Sequence, residues 1–176
     1  MNWEIYAVPG IRIKYPKDWK FQDQELTKEM LVLFSEEKID CQSKSYEFKK
    51  NVNIAADRLD LEDEKFGKIK DDPEKVLEKY IENKLMILEN NIDNFEMIEQ
   101  EKIDIKKEYR LFKGQKATRL AYKGNYMDRG LKWVQYYTII GGDIIIILTA
   151  TTLNNDFDQQ FHEIINEMID SMELSA

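Results

Sequence analysis

Residues 131–152 read LKWVQYYTIIGGDIIIILTATT, two β-prone runs that meet at Gly141-Gly142. Two adjacent glycines supply the positive φ angles that a tight hairpin turn requires, and the Val, Ile, Tyr and Thr residues on either side suit a pleated ladder. The stretch therefore predicts an antiparallel hairpin pairing Trp133–Ile140 with the strand that begins at Ile144. From Ile144 to Leu148 every residue is apolar. A strand open to water on one side alternates, so an unbroken apolar run predicts a central strand covered on both faces by helices.

Working outward, the 176 residues with 43% hydrophobic content predict a single domain, 1–176. Twenty-six basic residues against 34 acidic ones leave a net charge of −8, a field that repels phosphate backbones and anionic headgroups and argues against a nucleic-acid partner. Cys41 is the sole cysteine, so no intramolecular disulfide can form. It lies in a charged segment with nothing to depress its pKa and reads as an unreactive thiol. No basic-then-apolar leader opens the chain, and no apolar run reaches the length of a membrane span. The sequence as it stands reads as cytoplasmic, the alternative being an exported or anchored protein without its signal.

Ile11, Ile13 and Tyr15 alternate with Arg12 and Lys14 before Pro16, a short half-buried strand stopped by proline. Trp19 and Phe21 lead into a second strand, Met30 to Phe34 is a brief apolar run, and Glu36 to Lys50 is a charged excursion. Val52, Ile54 and Ala56 form a further strand, after which the acidic run Asp57–Glu64 reads as a loop ending near Gly67. Asp72-Pro73 opens a helix, with Asp72 as cap and Pro73 in the first turn. Val76, Leu77, Tyr80, Ile81, Leu85, Ile87 and Leu88 mark its apolar stripe to about Asn90. Phe95–Ile105 and Gln115–Tyr122 are read as strands joined by a turn at Lys113-Gly114. A last helix starts near Asn154-Asn155-Asp156 and runs through Phe157, Phe161, Ile164, Ile165, Met168, Ile169 and Met172.

In order, GIRIKYPKDWKF, MLVLFSEEK, NVNIAADRL, EKYIENKLMIL, NFEMIEQEKIDI, GQKATRLAYKG, WVQYYTIIGGDIIIILTATT and FDQQFHEIINEMIDSM resemble the PsbP-like family, which includes the extrinsic PsbP protein of photosystem II, bacterial DcrB-type proteins and yeast Ran-binding Mog-type proteins. The marks are the Tyr-Pro-x-x-Trp opening at Tyr15, Pro16 and Trp19, and the closing order of long hairpin, Thr-Ala-Thr and Phe-containing helix. The resemblance implies an α+β fold with an antiparallel sheet sandwiched between helices. It also implies a non-enzymatic protein that binds and stabilises protein partners. It carries over no functional residue.

Chemistry-bearing residues are sparse. His162, the lone histidine, lies off the apolar stripe of the last helix and reads as a surface or boundary residue. No multi-histidine metal site can be assembled from it. Asp57, Asp60, Glu62, Asp63 and Glu64 lack the alternating ligands and central glycine of a calcium loop, and the glycines form no phosphate-cradling motif and read as turn glycines. No cofactor or metal is expected. The candidate partner-binding residues are Tyr126 and Met127, displayed in a hairpin loop Gly124–Gly130, together with the carboxylates Asp60, Asp63 and Glu64. Trp133, Tyr136 and Tyr137 are read as core or sheet surface. The functional expectation is a non-catalytic protein-binding module, an accessory subunit or chaperone. A carrier of a small apolar ligand and an enzyme with a carboxylate-based site are the rivals.

Overall fold

The computed structural model of the chain describes residues 1–27, 29–39, 48–104, 116–154 and 159–174. Its elements are β1 (Trp3–Val8), β2 (Ile11–Pro16), β3 (Lys20–Gln22), β4 (Met30–Ser35), β5 (Asn51–Arg58), α1 (Pro73–Asn91), β6 (Asp93–Asp104), β7 (Lys116–Tyr126), β8 (Arg129–Ile140), β9 (Ile144–Leu153), α2 (Gln159–Ser171) and β10 (Glu173–Leu174). Seven strands form one sheet in the order β3-β4-β5-β9-β8-β7-β6, with every pairing antiparallel. The protein is therefore α+β, mostly antiparallel sheet with two long helices.

The apolar run falls where its composition demands. β9 is the middle strand, and Ile145, Ile146, Ile147 and Leu148 are all buried. Alternate residues of a strand point to opposite faces. Ile145 and Ile147 accordingly pack with Leu120, Tyr122 and Tyr137 and with Leu77 and Ile81 of α1. Ile146, Leu148 and Ala150 pack with Val52, Ile54, Val134 and Tyr136 and with Phe161, Ile164, Ile165 and Met168 of α2. The hairpin register runs from Ile140↔Ile144 to Leu131↔Leu153, and Gly141 (φ 61°) and Gly142 (φ 81°) take the left-handed conformations expected of them.

Topology explains the placement of α1. The strands β3, β4 and β5 form one meander and β6 to β9 another, so the β5-to-β6 connection must cross three intervening strands. Four strand spacings amount to about 19 Å, and a helix of 19 residues reaches about 28 Å. Asp72 caps it by accepting from the Lys75 N–H at 3.3 Å, and the Ile92 N–H closes it on the Leu88 carbonyl at 2.9 Å. Ile87, read as part of the apolar stripe, is instead 53% exposed. The buried stripe is Val76, Leu77 and Ile81, and a residue two positions from Leu85 sits about 200° round the helix from it.

A second sheet, β1-β2-β10, was not legible in the sequence. Its β2 carries the expected alternation of Ile11, Ile13 and Tyr15, but the flanking Trp3–Val8 and Glu173–Leu174 show no such pattern. Ser171 ties this sheet to α2, accepting from the Lys14 N–H at 2.9 Å and donating to the Met168 carbonyl at 2.7 Å. Tyr6 and Tyr15 meet Phe21 and Phe34 of the large sheet, with ring centroids 5.1 Å apart for Tyr6–Phe21 and 5.2 Å for Tyr15–Phe34. Trp19 stacks on Phe161. Cys41, the Lys113-Gly114 turn and Asn155 to Phe157 lie outside the described residues.

Gly124 is not a turn residue. It lies within β7, where a Cβ would stand 2.3 Å from Ile92 Cγ2 and 3.0 Å from the Asp93 carbonyl oxygen. Gly130, by contrast, has only Asn125 Oδ1 nearby, at 3.6 Å. Gly124→Ala is therefore expected to destabilise the protein by about 1–3 kcal/mol, the range for overpacking, and Gly130→Ala by under about 0.5 kcal/mol. Ile146→Asp, which places a carboxylate in the core, should cost more than about 3 kcal/mol. Urea denaturation of the three variants checks the ranking; equal midpoints for Gly124→Ala and Gly130→Ala would refute the close approach at Ile92.

Candidate functional site

The face of the sheet that α1 covers is only partly covered. Ile145 and Ile147 lie under the helix, but two and four residues further along the same side of β9 come Thr149 and Thr151. Beyond the last turn of α1 the sheet floors an open cleft of about 650 Å³, a size in the range of ligand sites. Its floor is two cross-strand rows. Leu33, Asn53, Thr149 and Gln135 form one, and Asn51, Thr151, Trp133 and Tyr122 the other. Leu88, Asn91 and Ile92 at the end of α1 make one wall, and Met30, Ile39 and Phe48 stand on the other side.

Each part is held by an identifiable contact. Gly124 lets Ile92 close onto β7, which fixes the helix-side wall. The Gln22 side-chain amide holds the opposite one, donating to the Ile39 carbonyl and accepting from its N–H, both at 2.8 Å. On the floor, the Tyr137 hydroxyl donates to Gln135 Oε1 at 2.7 Å, and Gln135 Nε2 donates to Thr149 Oγ1 at 3.1 Å. These lengths suit an O–H and an N–H donor respectively. Burial drives the Tyr137 phenol pKa far up, so it stays protonated and holds the amide nitrogen of Gln135 toward Thr149. Tyr122 is raised for the same reason, with Tyr137 adding to it.

Tyr126 and Met127 stand at the mouth, 48% and 59% exposed. The seven-residue loop expected here is instead a two-residue turn. β7 runs on to Tyr126, β8 starts at Arg129, and Met127 (φ 50°) and Asp128 (φ 61°) both adopt left-handed conformations, the pattern of a type I′ hairpin. Among the described residues that line the cleft, Arg129 is the one cation and none is Asp or Glu.

The carboxylates Asp60, Asp63 and Glu64 are elsewhere. They follow the far end of β5, whose Arg58 pairs with Ile144, while Asn51 at its near end pairs with Thr151 of the cleft floor. Eight residues of strand separate the two ends by about 23 Å. Asp60 and Asp63 act as turn formers, their side chains accepting from the N–H groups of Glu62 and Lys65 at 3.0 Å each. Among the described residues no group of three or more His, Cys, Asp or Glu is arranged to hold a metal ion. His162 lies on α2, whose buried residues pack on the opposite face of the sheet.

The polar floor escaped the sequence reading, although Ile145, Ile147, Thr149 and Thr151 change character along one side of one strand. The signal lies in the alternation after Leu148, where Thr149 and Thr151 succeed Ile145 and Ile147 on one side of the strand.

No family model and no curated protein matches the sequence. Solved structures share the fold over nearly the whole chain. LpqN of Mycobacterium tuberculosis, involved in cell envelope biogenesis, is 14% identical with a TM-score of 0.59, the match covering 99% of this chain and 91% of that one. The Saccharomyces cerevisiae Ran-binding protein Mog1p is 9% identical with a TM-score of 0.51, over 99% and 96%. A protein of Bacteroides thetaiotaomicron is 12% identical with a TM-score of 0.55, over 100% of this chain and 50% of its own. At these identities the likeness is one of fold, and it agrees with the PsbP-like and Mog-like architecture. No helix among the described residues is long and apolar enough to cross a membrane.

The tyrosines around the sheet give a pH dependence with a definite sign. Burial and the neighbouring Asp23 push Tyr6 up to about 12, and burial with a hydrogen bond to Asp57 raises Tyr80 well above the usual phenol range. With Tyr122 and Tyr137 this makes four phenols that hold their protons in the fold at pH values where the unfolded chain, ionising near pH 10, has lost them. The unfolded state then binds fewer protons, so stability is complete below about pH 10 and falls as pH rises beyond it. Urea midpoints at about pH 8, 10 and 11 should decrease in that order; a flat series would contradict the burial of these rings.

Proposed function

We propose that the chain is a protein-binding module, accessory or chaperone-like in role and without chemistry of its own, that receives its partner at the cleft mouth. The observation that carries this reading is the exposed pair Tyr126 and Met127, held out by a two-residue turn at the rim of the cleft floored by β5, β9 and β8. An aromatic ring and a thioether offer contact area and adaptable packing at little ordering cost when the backbone beneath them is fixed. The described lining of amides, hydroxyls, apolar groups and the Arg129 guanidinium suits holding a ligand better than exchanging protons with it. The seven-stranded antiparallel sheet supplies the platform, and the fold-level likeness to a Ran-binding protein points the same way.

Asp60, Asp63 and Glu64 enter as a separate surface. In a chain of net charge −8 they add to long-range attraction of basic partners and repulsion of acidic ones. At about 23 Å along β5 they do not share a small contact with Tyr126.

Affinity capture from native lysate, comparing the parent with Tyr126→Ser/Met127→Ser, tests the assignment. Both residues are exposed, so the variant should keep its thermal midpoint and lose at least one captured partner. Capture of the same partners in the same yield would place the binding face elsewhere. Asp60→Asn/Asp63→Asn/Glu64→Gln should retain those partners but show a weaker salt dependence of association.

A further inference from the structure

The polar groups on the cleft floor are supported from beneath but not satisfied from above. The Asn53 amide and the Thr151 hydroxyl make no hydrogen bond with the described residues, and Thr149 is bonded only by Gln135. Gln135, 7% exposed, has used its carbonyl on Tyr137 and one amide hydrogen on Thr149, leaving a second N–H. The floor thus offers donors and acceptors in comparable number, carries no charge, and lies between apolar walls built from Met30, Ile39, Leu88 and Ile92.

We infer that this cleft grips an extended, unfolded polypeptide segment by its backbone. The inference rests on the docking reading above and states what the partner presents. A peptide unit carries one donor and one acceptor, which is what a side-chain amide complements, and side chains of an extended segment alternate between the two sides of its backbone. The chain contains its own instance of the pairing: the Gln22 amide holds both the N–H and the carbonyl of Ile39 at 2.8 Å, at the edge of this same cleft. Asn53 and Gln135 stand one on each side of Thr149, about two strand spacings apart, so peptide units roughly three residues apart in an extended segment can be met across the strands. An acyl chain is a poorer occupant, because it would cover these amides and hydroxyls without bonding them. The uncharged floor makes the grip tolerant of sequence, and the apolar walls favour segments with an apolar residue at every second position.

The test uses an array of short unstructured peptides with apolar residues at alternate positions. The strongest binder is carried to fluorescence anisotropy against the intact chain, with dodecanoate and maltotriose as comparison probes. Replacing alternate backbone N–H groups of that peptide by N-methyl should weaken binding by about tenfold or more, and so should Asn53→Leu/Thr151→Val, with the melting midpoint kept. Thr149→Val, a smaller change, carries the test if the double variant does not fold. Undiminished binding of the N-methylated peptide or of the floor variants would overturn the inference. So would an array without binders, or saturable binding of dodecanoate or maltotriose alone. If the array is silent while Tyr126→Ser/Met127→Ser still loses captured partners, the docking reading stands and only the backbone grip fails.

Discussion

The architecture depends on one requirement, that the run Ile145–Leu148 be dry on both sides. Four consecutive buried aliphatic residues at the middle of a seven-stranded sheet are each worth about 1.5–3 kcal/mol when fully buried, and the benefit is lost on whichever face is open to water. Both helices answer this demand. α1 arrives as the crossover from β5 to β6, α2 as the chain leaving β9, and their apolar faces meet alternate residues of the same strand.

The cleft follows from the same arithmetic of lengths. β9 is ten residues long, but only its first half is aliphatic on the α1 side. α1 ends at Asn91 and turns directly into β6, and Gly124 lets that junction press against β7. A side chain at position 124 would lift Ile92 from the sheet and open the wall of the cleft. Glycine here serves close approach of two backbones, whereas Gly141 and Gly142 serve turn geometry.

Much of this was readable from residue order. The Gly141-Gly142 hairpin, the Asp72-Pro73 helix start and the alternation at Ile11–Tyr15 are local signals with local causes, and all three appear as expected; the apolar strand is central and buried from Ile145 to Leu148, with Ile144 only partly so. The three-stranded β1-β2-β10 sheet was not readable, because it joins the two ends of the chain and β10 is two residues long. The hairpin at Met127-Asp128 looked like a longer loop because two flanking glycines suggested irregular backbone, while the residues that adopt positive φ are Met127 and Asp128 themselves. Tyr126 and Met127 were identified from their type and are exposed at a cleft rim. Asp60, Asp63 and Glu64 stand beside them as partner-binding candidates in the sequence, and the strand register sets the two groups apart.

The division within β9 has an energetic meaning. A hydroxyl or amide at a nearly buried position costs stability unless something bonds it, about 1–3 kcal/mol when sealed from water. Thr151 is 8% exposed and Gln135 7%, and valine or leucine at these places would extend the core under a longer α1 at no such cost. Tyr137 and Gln135 form a relay that runs from the dry half of the sheet into the wet half and aims an amide at the cleft. A fold optimised for stability alone has no use for that relay. In the proposed docking role the polar half of β9 is what meets the partner, and the apolar half is what allows the protein to carry it.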